Sequence, residues 1–242
     1  MNFQIKFLTV AVVLMGFSSC VSLNHAAEKS SAVRDSAWEV LFDGSSLEKW
    51  RGYKRDSFPD KGWKVENGLL KTIPGGDVID IVSKDLYENF ELTLEWKVSP
   101  GANSGILYRV SEGFAESWYT GPEMQVLDDD RHPDGKNPKT SAGALYALIV
   151  PSNKHLKPVG EFNSVRILVN ANHVEHWLNG EKVVEYEFGD DSLKQLIKES
   201  KFKDMPKFAQ EKTGRIALQH HHDEVWYRNI KIRRIGFDQN EK

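Results

Sequence analysis

A single cysteine, Cys20, stands in a chain of 242 residues, so no disulfide can form within it and stability in an oxidising compartment must come from burial. Long hydrophobic runs are missing too. The apolar run from Phe7 to Phe17 is too short to hold a helix across a bilayer. Neither sign of charge prevails: 32 Lys and Arg meet 35 Asp and Glu, interspersed, for a net charge of -3. That balance excludes the basic footprint of a nucleic-acid-binding protein. No internal repeat of fixed period appears, and sustained helical periodicity is scarce, which argues against a repeat array or a helical bundle. Aromatic residues are abundant by contrast, at 11% with seven Trp, enough to build a core and to offer stacking platforms.

The N-terminal segment reads as processing information rather than fold. Lys6 precedes the apolar run, and the small residues Ser18 and Ser19 precede Cys20, as in a secretory signal. The sequence F-S-S-C resembles a bacterial lipoprotein processing site, with Cys20 as the lipidation point. Residues 1–19 are then the signal peptide, and 20–36, polar and without apolar periodicity, a lipidated tether. Residues 37–242 are left as one domain, a size that suits a single β core. The expected location is the bacterial cell envelope, on the periplasmic or outer-membrane face, with the membrane as a partner through the lipid.

From Trp38 onward, short β-rich runs alternate with turn residues. Asn67-Gly68 joins Trp63–Glu66 to Leu69–Thr72, and Asn179-Gly180 joins His173–Leu178 to Glu181–Glu187; both are strong two-residue hairpin signals. Phe90, Leu92, Leu94, Trp96 and Val98 alternate along a longer strand, and Ser104–Val110 follows the Pro100-Gly101 turn. Ala144–Val150, nearly all apolar, predicts a strand buried on both faces. Gly214–Gln219 and Val225–Arg233 read as closing strands. One helix is expected where Asp191 or Ser192 can cap a stripe of Leu193, Leu196 and Ile197. The fold class is all-β: two antiparallel sheets packed as a jelly-roll sandwich with one short peripheral helix.

Chemistry concentrates in the hexapeptide Glu123-Met124-Gln125-Val126-Leu127-Asp128, whose alternation puts Glu123 and Gln125 on one face and Met124 and Val126 on the other. An ordinary glycosidase needs two carboxyl groups flanking the scissile bond. Here the same-face neighbour of Glu123 is an amide, and Asp128 has the opposite parity. Glu123 is therefore a candidate single base, with Gln125 as a hydrogen-bond donor. His220 and His222 would share a face if a strand ran through them, a spacing able to chelate a divalent metal ion. His176, between Val174 and Leu178 in face, is either a satisfied core-edge histidine or a second candidate base. Asn103 and Ser104 can bind sugar hydroxyls, Arg109 can pair with Glu123 or a developing oxyanion, and Trp118 and Tyr119 can stack on a pyranose.

The order of motifs L-F-D-G-S-S-L-E-K-W, N-S-G-I-L-Y-R, E-M-Q-V-L-D, G-A-L-Y, G-E-F-N-S-V-R-I, H-W-L-N-G, G-R-I-A-L-Q and V-W-Y-R-N-I-K-I resembles the 3-keto-disaccharide hydrolase family, from Trp38 to Ile235. The resemblance implies a concanavalin A-like sandwich and a glycoside substrate oxidised at C3. A ketone there acidifies the C2 hydrogen, so a base can remove it and the enolate can expel the glycosidic oxygen, with or without later addition of water. In that chemistry Glu123 or His176 serves as base. Arg109, Gln125 or a metal held by His220 and His222 steadies the oxyanion, and Asn103 with Asp128 positions hydroxyls. Two other readings compete: a non-catalytic glycan-binding lipoprotein and a conventional endoglucanase. A 3-keto disaccharide and its unoxidised parent separate the three.

Overall fold

The computed structural model describes Met1 and residues 36–236; the signal segment, Cys20 and all of the tether but Ser36 lie outside the described residues. Thirteen strands are found among them: β1 (Glu39–Phe42), β2 (Trp50–Gly52), β3 (Trp63–Glu66), β4 (Leu69–Thr72), β5 (Ile81–Ser83), β6 (Phe90–Val98), β7 (Asn103–Val110), β8 (Glu123–Leu127), β9 (Asn163–Asn170), β10 (His173–Leu178), β11 (Glu181–Glu187), β12 (Arg215–Leu218) and β13 (Val225–Arg234). A single α-helix, α1 (Asp191–Lys198), joins them. The Asn-Gly turns fall where the sequence puts them, because Asn67 (φ +52°) and Asn179 (φ +52°) each precede a glycine that is also at positive φ.

An eight-stranded sheet runs β11-β10-β9-β6-β13-β4-β3, with β1 also paired to β13, and a five-stranded sheet runs β2-β5-β12-β7-β8. All pairs are antiparallel. Phe90, Leu92, Leu94 and Trp96 of β6 point into the main core and meet Ile106, Tyr108, Met124 and Val126 from the smaller sheet. The large sheet turns its other face to solvent, as the polar alternates of β9 and β13 show. The small sheet does not. All of β7 and β8 is buried, because its outer face carries Val82, Leu107, Ala217 and Tyr53 and is covered by loops.

Two expectations need correction. Residues 144–150 form turns rather than a strand, with Ala147 at φ +61°, and their β pairing is limited to the isolated bridges Met124 to Leu145 and Leu145 to Ile149. Their apolar side chains are needed to cover the free edge of β8, where Gln125 N donates to Ala144 O (3.1 Å) and Tyr146 N to Glu123 O (3.0 Å). The helix is capped by Asp190, whose carboxylate accepts from Leu193 N at 2.6 Å. Among the described residues no helix is long and apolar enough to cross a membrane.

Candidate active site

β8 builds the floor of the site. Its register against β7 sets Glu123 opposite Leu107, Gln125 opposite Gly105 and Leu127 opposite Asn103, so these six share the outer face of the small sheet. Leu107 lies in turn opposite Ala217, and Ala217 opposite Val82. Glu123 thus ends a cross-strand row whose middle, Leu107, Ala217 and Val82, is apolar and whose far end is Arg51. Gly105 makes room for it: a Cβ on Gly105 would lie 2.6 Å from Glu123 Cδ and 2.8 Å from its Cγ, closer than atoms can approach.

The walls come from loops. Glu123, Gln125, Asn103, Trp118, Tyr146, Lys201, Gln219 and His221 enclose a cavity of about 190 Å³. Glu123 is only 7% exposed. Burial pushes its carboxyl up to about 8, against the pull of the Lys201 charge, while the charges of Asp80 and Asp134 raise it further. Lys201 is exposed as a residue, yet its ammonium stands 4.3 Å from the Tyr146 ring centre and 5.2 Å from that of Trp118. Loss of hydration there lowers its affinity for a proton, and the charges of Glu123 and Asp134 oppose the change. The Tyr146 hydroxyl donates to Asp134 Oδ2 at 3.2 Å.

Besides Lys201, Tyr146 and His221, the polar groups around Glu123 are amides. Gln125 Nε2 donates to Thr140 O (3.1 Å) and its Oε1 accepts from Val126 N (3.2 Å), which fixes the side chain on the floor. Asn103 is held from behind, its backbone N–H donating to Asp223 Oδ2 (3.0 Å), while its Oδ1 is buried without a protein partner. A buried acceptor left open in a cavity wall suits a ligand hydroxyl.

Several expected site residues stand elsewhere. His176 lies between the sheets, fully buried, with Nε2 and the Tyr108 hydroxyl 2.7 Å apart; desolvation lowers its pKa to about 3, and it does not line the cavity. Arg109 sits at positive φ (+53°) where β7 and β12 slip in register, and donates to Ala171 O (2.7 Å) over the Phe188 ring. It neither meets Glu123 nor lines the cavity. Ser104 points inward by strand parity, donating to Gln219 O (2.6 Å) and sharing a hydrogen bond with the Tyr227 hydroxyl. Asp128, past the end of β8, uses its carboxylate to accept from Gly101 N (2.7 Å) and Asp130 N (3.1 Å), so it shapes a turn. Tyr119 stacks between Phe114 and Trp118 and only backs the wall that Trp118 forms.

The two-histidine chelate fails because no strand runs through it. β12 ends at Leu218, the backbone of His222 turns to φ +69°, and His222 N donates to His220 Nδ1 (3.2 Å). His220 is buried edge-on against Trp63. Among the described residues the one group with ligand atoms within 4.8 Å of each other is His173, Glu175 and Glu185. There Lys182 already pairs with both glutamates, at 3.2 and 2.7 Å. Lys201, Tyr146, Gln219 and His221 were not foreseen. Tyr146 and Gln219 end the motifs G-A-L-Y and G-R-I-A-L-Q, and His221 is the middle member of the histidine run, whereas Lys201 carried no signal.

Comparison with known proteins bears on what this arrangement serves. A Bacteroides thetaiotaomicron protein named 3-keto-disaccharide hydrolase is 35% identical over 224 residues, covering 80% of this chain and 77% of its own length. A solved structure from Parabacteroides distasonis, provisionally named a glycosyl hydrolase, superposes with a TM-score of 0.76 at 31% identity, over 85% of this chain and all of that one. A Bacillus subtilis protein with a galectin-like fold superposes with a TM-score of 0.51 at 12% identity, over 83% of this chain and 96% of that one, which shows a shared fold alone. Residues 37–233 match the family described as the 3-keto-alpha-glucoside-1,2-lyase-like domain, and with the alternating E-M-Q-V-L-D strand seated at the floor of its cavity this chain belongs to that family.

Proposed function

We propose that the protein cleaves 3-keto-glycosides, 3-keto-disaccharides among them, by elimination across C1 and C2 in the Glu123 cavity. The observation that carries this reading is the lining itself: one carboxyl, Glu123, surrounded by amides, aromatic rings and Lys201. Two-carboxylate hydrolysis has no second acid there, whereas elimination needs only one strong base. The Glu123 carboxylate takes the C2 proton, and the C2–H pair forms the enolate with the C3 ketone. The enolate then forms a C1–C2 double bond as the C1–O bond breaks, its pair leaving on the glycosidic oxygen, which takes up a proton. Water added across the double bond completes net hydrolysis. A carboxylate whose proton affinity is raised by burial is a stronger base than one in water. Gln125 Nε2 and the Lys201 ammonium are the donors that face developing negative charge, and Asn103 Oδ1 accepts from a sugar hydroxyl.

Purified protein is given a 3-keto disaccharide and its unoxidised parent. Consumption of the keto sugar alone is expected. Glu123→Gln should lower kcat by about 10² to 10⁴-fold, the usual worth of a positioned base, with the melting temperature held or raised. Full activity in that variant would falsify the assignment. The lipoprotein signal supports placement in the bacterial envelope, with the domain tethered through lipid on Cys20.

A further inference from the structure

Beside the Glu123 cavity lies a second chamber of about 420 Å³, lined by Tyr53, Arg55, Asp80, Glu116 and Trp118 among others. The two spaces share three residues, Trp118, Gln219 and His221. We propose that this chamber is the leaving-group subsite and that its walls select a hydroxyl-rich sugar over a flat aryl group. The proposal rests on the Glu123 cavity being where the keto sugar binds.

Size argues first. At about 190 Å³ the Glu123 cavity falls below the roughly 300 to 1,000 Å³ of ordinary ligand pockets, too small for two sugar rings. A disaccharide with its keto ring over Glu123 must send its other ring past the shared residues. The scissile oxygen then lies among Trp118, Gln219 and His221, of which His221 is the one titratable side chain. Desolvation lowers the proton affinity of His221, with Asp223 opposing.

The chemistry of the walls names the occupant. Asp80 accepts from His220 N at 2.9 Å and from the Ser117 hydroxyl, which leaves its carboxyl with unused acceptor sites. Arg55 and Glu116 make no ion pair among the described residues. Charges of both signs, from Lys54 and Arg55 against Asp80 and Glu116, favour neither an anionic nor a cationic occupant. The same lining holds Val78, Ile79 and the Trp118 indole, which offer apolar surface. A sugar meets both: its hydroxyls pair with carboxylate and guanidinium while its C–H face lies on the indole. An aryl group offers these side chains no hydroxyl to pair with and so loses the hydrogen bonds a sugar makes there.

The chamber is also prearranged. The Tyr53 hydroxyl lies within hydrogen-bond reach of three carbonyls of the loop before β8, Ser111 O (3.2 Å), Phe114 O (3.0 Å) and Glu116 O (3.2 Å). That loop is thereby fixed across the outer face of the sheet, with Trp118 at the junction.

The test is a selectivity ratio. kcat/KM is measured for a 3-keto disaccharide, for the 3-keto methyl glucoside of the same anomeric configuration, and for the 3-keto phenyl glucoside, in the wild-type protein and in Arg55→Ala and Glu116→Gln. Both substitutions lie at exposed positions, and unchanged melting temperatures confirm that they fold. The disaccharide should be the best of the three in the wild type, and each variant should lower the ratio of disaccharide to methyl glucoside at least tenfold. A wild type that cleaves the keto sugars while both variants keep its ratio overturns the subsite alone, as does a preference for the phenyl glucoside. Failure of the wild type to consume any keto sugar overturns the reading of the Glu123 cavity, and the subsite with it.

Discussion

Burial of Glu123 ties both stability and activity to pH, with opposite slopes. The carboxyl holds its proton more tightly in the folded chain, about 8 against an ordinary 4.5. Across that window the native state binds more protons than the unfolded one, so this group's contribution to stability is greatest at low pH and declines as pH rises toward the folded value. Glu123→Gln removes the burdened charge. The gap in melting temperature between variant and wild type should therefore widen from about pH 5 to about pH 9. The proposed base role needs the ionised form, so kcat/KM should climb over the same window; a falling profile would assign Glu123 the role of acid instead. Gly105 offers a second handle. Gly105→Ala drives a methyl group into the Glu123 side chain, and activity should fall at least tenfold while the β7 to β8 pairing survives, as read by circular dichroism and turnover. The pairing of Glu123 and Gln125 on one face was legible in the sequence, since strand parity is local. The fate of Ser104 was not: it neighbours Asn103, but the face it takes depends on which side the second sheet lies.

Elements carry what parity does not. Both Asn-Gly hairpins could be placed from sequence because their turn chemistry is contained in two residues. The apolar stretch 144–150 reads alike as a buried strand or a buried turn, and only the free edge of β8 decides between them. Lys201 was invisible for a related reason. It follows α1 in the chain and reaches Glu123 only because Asp190 caps that helix and Leu193 anchors it in the core. Its charge lowers the pKa of Glu123. Lys201→Met should shift the rising limb of the pH profile to higher pH and lower kcat, whereas a purely structural lysine would change the melting temperature and leave the limb in place.

For the whole molecule, two sheets without a disulfide are held by one continuous core, with a few buried hydroxyls crossing between them. Ser104 meets Tyr227 at 2.6 Å, and Tyr108 meets His176 and Tyr186 at 2.7 Å each. Glu123 lies on the far side of the small sheet from this core. On the proposed lipidation of Cys20, Cys20→Ser should move the protein from the membrane fraction to the soluble fraction while the turnover number stays unchanged, as cell fractionation and assay of each pool would show. The segment 143–146 has a further consequence. It seals the open edge of β8 through Gly143 N to Gln125 O and Tyr146 N to Glu123 O, and it also supplies the Tyr146 wall of the cavity. A folding intermediate lacking that seal would expose a strand able to pair with another chain and would have no enclosed site. Protection of that strand edge and completion of the cavity wall thus depend on the same four residues.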